Sequence, residues 1–138
     1  MGKTGLVVEG GGMKCAYNAG ILDRFLDENI HFDYCIGVSA GSANVASYLA
    51  GQRDRNLRFY TQHTTLPEYM GVRNFLRTGQ FFGLQFIYGT LTNTGGADPI
   101  DYPAIMANPS EYELVATDAE TGEATYFNKY DLKQDDYT

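Results

Sequence analysis

The order of elements over residues 5 to 51 limits the fold more than any other feature: a strand, a glycine triplet, a helix, a second strand, a serine flanked by glycines, and a second helix. Gly5 to Glu9 is a short apolar run of strand length, and Gly10-Gly11-Gly12 follows it directly. From Met13 the apolar residues Ala16, Ala19, Leu22, Phe25 and Leu26 recur in steps of three and four, which predicts a helix. Lys14, Asp23, Arg24 and Asp27 fall on its other face, and Asn29 sits where a left-handed residue would end it. Phe32 to Val38 reads as a second strand, and Ser39 to Leu49 as a helix of small residues closed by Gly51. A strand, a helix of this length and another strand imply a parallel pair joined by a right-handed crossover, hence an α/β chain with a mostly parallel sheet.

Gly37-Val38-Ser39-Ala40-Gly41 places a serine at the turn from strand to helix. A nucleophilic serine needs a sharp bend there, which pushes its hydroxyl out of the backbone, and glycines on either side remove side chains that would collide. The helix that starts at this point also directs positive dipole toward the hydroxyl. The competing reading of Ser39 is an ordinary helix cap. The segment Glu9-Gly10-Gly11-Gly12-Met13-Lys14 supplies the complementary chemistry. Acyl transfer builds negative charge on a carbonyl oxygen and needs N–H donors already aimed at it, each worth about 3 kcal/mol. Glycines leave such donors uncovered, and Lys14 adds a positive charge nearby. Loops that follow adjacent parallel strands open on the same edge, so the triplet and Ser39 are expected to face each other. The triplet also approaches a dinucleotide fingerprint, but Cys15 stands at its third glycine, and the second strand ends in Ser39 where that fingerprint wants a carboxylate.

The rest of the chain is less patterned. Arg53 to Gln62 reads as a helix. Leu66 to Asp98 is rich in aromatic and aliphatic residues punctuated by glycine, and reads as a core segment or as the wall of an apolar pocket. Asp101 to Ala107 is a short helix with Asp101 as its cap. Glu113 to Thr117 and Ala124 to Phe127 are strands joined by the turn Asp118-Ala119-Glu120-Thr121-Gly122. Seventeen acidic against ten basic residues give a formal charge of -7. That charge argues against nucleic acid and against tight electrostatic docking on anionic membranes, and leaves neutral hydrophobic substrates open. No signal-length apolar run or membrane-span run is present, so a cytoplasmic protein is expected. Cys15 and Cys35 fit neither a disulfide framework nor a zinc pattern and read as buried thiols, and no metal or cofactor is expected.

EGGGMK, a helix, and then GVSAG resemble the patatin-like phospholipase family. The likeness extends through AGILDRFLDENIHFDYCIGVSAGSAN to VATDAETGEATYF and is most specific over residues 5 to 51. It implies a three-layer α/β/α fold and hydrolysis of lipid acyl esters by a Ser-Asp dyad, with no histidine, metal or cofactor. By this resemblance Ser39 is the nucleophile, Gly10, Gly11 and Gly12 supply the oxyanion hole, Gly37 and Gly41 complete the serine motif, and Lys14 is the basic residue of the glycine loop. A lipid or another acyl ester is the implied partner, compatible with transient contact at a membrane surface.

The sequence departs from the family in two places. Cys15 replaces a glycine after Lys14. The family's aspartate lies in an Asp-Gly-Gly or Asp-Gly-Ala motif, and no Asp here is followed by Gly. Residues 1–138 are therefore expected to be a single patatin-like domain, incomplete at its C-terminus, with the aspartate beyond the chain. Asp118 reads as a turn residue. His63 has no supporting context as a base, and His31 lies at the wrong end of its strand. The second reading is a catalytically inactive relative that binds a lipid or a partner; the third, nucleotide binding at the glycine loop.

Overall fold

The computed structural model describes residues 2–137; the two end residues of the expected 1–138 domain lie outside it. Four strands, β1 (Gly5–Val8), β2 (Tyr34–Val38), β3 (Glu111–Thr117) and β4 (Ala124–Asn128), form one sheet in the order β1-β2-β3-β4. The first three run parallel and β4 is antiparallel to β3, so the sheet is the mostly parallel one the sequence predicts. The helices are α1 (Ala16–Asp27), α2 (Ala40–Leu49), α3 (Arg55–Thr61), α4 (Val72–Thr78) and α5 (Tyr102–Ala107). A 3-10 turn over Gly12–Cys15 precedes α1, and a π-helical segment, Gln85–Leu91, lies between α4 and α5.

Local chemistry fixes several boundaries. Asn29 is left-handed (φ 52°) just past α1, as the sequence reading requires of a helix stop. The Asp101 side chain accepts the Ala104 N–H at 3.0 Å and caps α5. Asp118 accepts the N–H groups of Glu120 and Thr121 at 2.9 and 2.7 Å, which bends the chain between β3 and β4.

The main core lies between the sheet and one layer of helices. Val8, Cys35 and Tyr112 from the strands meet Leu22 of α1, Val45, Tyr48 and Leu49 of α2, and Ile105 of α5. Strand side chains alternate between faces, and residues of the opposite parity, Val7, Ile36, Val115 and Tyr126, are absent from that cluster. Residues 2–137 thus build the sheet and one helical layer of the expected architecture. Cys15 and Cys35 are buried and unpaired. Burial pushes both thiols up, Cys35 to about 11, which keeps them protonated and poorly reactive.

The segment from Leu66 to Asp98 divides between its two expected roles. Tyr69, Ile87 and Leu91 form a small second core with Phe59 and Leu66 packed around it, while other residues of the segment stay exposed. Asp98 anchors its far end. The carboxylate is buried and accepts Arg58 Nε and Nη2 at 2.6 and 2.8 Å. His63 Nε2 lies 3.0 Å away, so this histidine is committed to Asp98 and is not a base for Ser39. Arg55, also buried, donates to the Asp98 main-chain oxygen at 2.8 Å and stacks on Phe59, its charged centre 4.6 Å from the ring.

Burial alone would raise the Asp98 carboxyl, but hydrogen bonds from Arg58 and His63 and the charge of Arg55 outweigh it and hold it below the usual range. Burial pulls Arg55 down to about 10, which leaves it charged at neutral pH. Asp98→Asn would strand Arg55 and is expected to cost about 3 kcal/mol. A carboxyl depressed in the folded state stabilises above its unfolded pKa and loses that contribution as pH falls through the folded value. The difference in urea midpoint between wild type and variant should therefore be flat near neutrality and shrink below about pH 4.

Candidate active site

The site is assembled where two strands end side by side. Val8 is paired with Gly37, so the loop after β1 and the turn after β2 emerge next to each other at one sheet edge. Ser39 occupies that turn with φ 53° and ψ -129°, a backbone conformation that side chains of L-residues rarely adopt. It precedes α2 but makes no side-chain cap hydrogen bond, which removes the helix-cap reading. The bend leaves Ser39 exposed at the sheet edge.

The motif glycines are explained by close approach. A Cβ on Gly41 would lie 2.3 Å from the Val8 oxygen and 2.5 Å from the Glu9 oxygen, so the start of α2 can rest on the end of β1 only without a side chain there. A Cβ on Gly37 would lie 2.4 Å from Ser42 Cα, where the turn folds back over β2.

The first glycine of the triplet packs against the serine. A Cβ on Gly10 would stand 2.9 Å from Ser39 Cβ and 3.5 Å from Ser39 Oγ. Gly11 and Gly12 have φ of 149° and 54°, so the loop takes a path that other residues resist. The N–H groups of Gly10, Gly11 and Gly12 donate no main-chain hydrogen bond among the described residues. Unpaired donors on bare backbone near a hydroxyl are the raw material of an oxyanion hole. Lys14 is exposed on this loop, and its N–H closes the turn onto the Gly11 oxygen at 3.1 Å. Cys15, where the family has glycine, turns its thiol inward, 3.5 Å from the Glu9 oxygen.

Sequence reasoning missed the residue that ties the two halves together. Asn44 is buried on α2 and donates to the Cys15 carbonyl at 2.9 Å, while its own carbonyl oxygen accepts the Tyr60 hydroxyl at 2.9 Å. The glycine loop is thereby clamped to the helix that carries Ser39. The one available signal was an amide side chain among the alanines and serines of α2. Asn44→Asp would set a carboxylate oxygen against the Cys15 carbonyl in place of the amide donor. It is expected to cost about 1–3 kcal/mol and to speed amide hydrogen exchange across Gly10 to Cys15.

A cavity of about 710 Å³ opens beside the serine. Ser39, Gly12 and Met13 line it, together with Tyr60, Tyr69, Phe82, Leu84, Ile87 and Tyr88. The volume lies in the range of sites that take medium-sized organic ligands. Part of the aromatic segment is therefore pocket wall, and a π-helical segment supplies Ile87 and Tyr88 to it, as such segments frequently do near functional sites.

Asp118 is in an exposed turn with its carboxyl held below the usual range by the N–H and hydroxyl of Thr121 and the N–H of Glu120. Among the described residues, no carboxylate or imidazole hydrogen-bonds to the Ser39 hydroxyl.

The family model of the patatin-like phospholipases matches residues 6–131. The uncharacterized protein YjjU of Escherichia coli K12 is 31% identical over 87 residues, which cover 62% of this chain and 24% of that protein. The matched region thus spans about a quarter of that relative's length. No solved structure matches the chain.

Proposed function

We propose that this chain, which belongs to the patatin-like phospholipase family, carries the nucleophile and oxyanion hole of a serine hydrolase acting on lipid acyl esters. The observation that supports this reading best is the approach of Gly10 to a strained Ser39, with free N–H groups beside it. In this mechanism Ser39 Oγ attacks the ester carbonyl, and its proton passes to an aspartate of the family's Asp-Gly motif that lies beyond this chain. The oxygen of the tetrahedral intermediate takes hydrogen bonds from the Gly10–Gly12 loop. The alcohol departs with a proton, leaving an acyl ester on Ser39, and water then frees the acid. The apolar cavity holds the acyl chain, and the -7 charge leaves the head group to be bound by local rather than overall attraction. No helix of the described residues is long and apolar enough to cross a membrane.

The test is ester hydrolysis by the protein translated from its whole reading frame. Esters of p-nitrophenol with acyl chains of increasing length should be hydrolysed faster as the chain begins to fill the cavity. Rates that do not depend on chain length, or that survive Ser39→Ala, would defeat the reading. A non-catalytic lipid binder is the alternative, favoured because among the described residues no carboxylate or imidazole hydrogen-bonds to Ser39 Oγ. It predicts saturable binding of fatty acid with no turnover.

A further inference from the structure

The helix α4 is turned inside out. Its buried residue is Asn74, 4% exposed, whereas Leu76 is 80% exposed and Val72 and Phe75 are 67% and 52% exposed. A helix normally buries its apolar stripe and presents its polar residues to water. The inversion is built in rather than loose. Asn74 Nδ2 donates to the Gln80 oxygen at 2.9 Å, and Thr78 Oγ1 donates to the Asn74 oxygen at 2.8 Å. Backbone bonds from Gly71 N to the Phe81 oxygen (3.0 Å) and from Gly83 N to the Tyr69 oxygen (2.8 Å) close the base of the excursion. The apolar side chains are held out by a fastened frame.

Two further observations identify what this face fits. The first is charge. From Tyr69 to Ala97 there is no Asp or Glu, in a chain with seventeen of them, and the charged residues of that stretch are Arg73 and Arg77. Four residues apart on α4, they lie along one side of the exposed apolar side chains, beside a small surface pocket that Glu68 also lines. The rest of the molecule is repelled by an anionic surface, and this face is attracted to it. The second is continuity. Phe82 and Leu84 are exposed beside α4 and also line the cavity that reaches Ser39.

We propose that Val72, Phe75 and Leu76 of α4, with Arg73 and Arg77 beside them, dock the protein on the surface of an anionic lipid bilayer, with the cavity mouth turned toward the lipid. Apolar side chains enter the boundary between head groups and acyl chains, and the arginines meet the lipid phosphates. The inference rests on the lipid-hydrolase reading for the purpose of the docking but not for the docking itself.

The chain has no tryptophan, so Leu76→Trp reports on this face alone. Its emission should shift to the blue, and the protein should float, with vesicles of phosphatidylcholine and phosphatidylglycerol in equal parts. Pure phosphatidylcholine vesicles should bind it far less. Each arginine near an anionic surface is worth roughly fivefold, so Arg73→Glu with Arg77→Glu should lower binding to the mixed vesicles by more than about twentyfold. Leu76→Glu should abolish the binding while hydrolysis of a water-soluble short-chain ester stays at the wild-type rate.

An unshifted tryptophan would overturn the proposal. So would binding that ignores the arginines, or a concentration-dependent dimer that Leu76→Glu dissolves in the absence of vesicle binding. Ser39→Ala separates the two readings. Vesicle binding by a wild-type protein that hydrolyses no ester, or whose hydrolysis survives Ser39→Ala, would remove the hydrolase and leave the docking face standing. Ester hydrolysis lost on Ser39→Ala, in a protein that ignores vesicles, would do the reverse.

Discussion

Ser39→Gly is expected to yield a protein that is more stable than wild type and catalytically silent. Ser39 sits at φ 53° and ψ -129°, and a residue with a side chain held in such a region costs about 1–3 kcal/mol. Glycine adopts it without that penalty but loses some of the gain to its freer unfolded chain, so a net increase of about 1 kcal/mol is expected. Alanine keeps the Cβ, and with it the strain, and should leave stability close to wild type. An ordinary helix cap would behave differently: losing its side chain to alanine would cost about 1 kcal/mol. Both variants should lose the reaction, since removing the nucleophile of a serine hydrolase lowers turnover by about a million-fold. Chemical denaturation of the three proteins, with ester hydrolysis alongside, measures the exchange of stability for a poised hydroxyl.

Gly41→Ala should damage the fold itself. The added methyl would sit 2.3 Å from the Val8 oxygen and 2.5 Å from the Glu9 oxygen. Overpacking usually costs about 1–3 kcal/mol because side chains give way. Here the obstacles are main-chain carbonyls at the end of a paired strand. Relief requires lifting α2 away from β1, which also pulls on the Tyr112 hydroxyl bond to the Ser42 oxygen (2.7 Å) and the Asn44 bond to Cys15 (2.9 Å). A loss of about 4 kcal/mol or more is expected, with the remaining folded protein inactive because Ser39 no longer faces Gly10. A thermal midpoint within a few degrees of wild type would show that the two segments are not pressed together as described.

The front of the chain was legible in its sequence because its signals are local and repeated. Periodicity in Ala16 to Leu26 marks α1, Asn29 marks its stop, and glycines bracket a serine where a strand must turn into a helix. Asp101 and Asp118 act on neighbours within three residues, so their roles as cap and turn former could be read directly. The segment from Leu66 to Asp98 could not be resolved for the opposite reason. Asp98 is joined to Arg58 across 40 positions, and Asn44 to Cys15 across 29, which no local pattern announces. The helix α4 reverses the rule on which pattern reading depends, since Asn74 is inside and Leu76 outside. The role of the aromatic residues was half visible: their composition suggested a pocket, but only the fold shows that Tyr60 and Tyr88 flank the same cavity as Ser39.

The most direct test is covalent. A fluorophosphonate probe should be applied to the protein translated from its whole reading frame, and the modified peptide identified by mass spectrometry. One adduct on Ser39 is expected, absent from Ser39→Ala and formed more slowly in Gly10→Ala, where a methyl would crowd the serine. No adduct, an adduct on another residue, or equal labelling of the Ser39→Ala protein would refute an acyl-transfer site at this strand-to-helix turn.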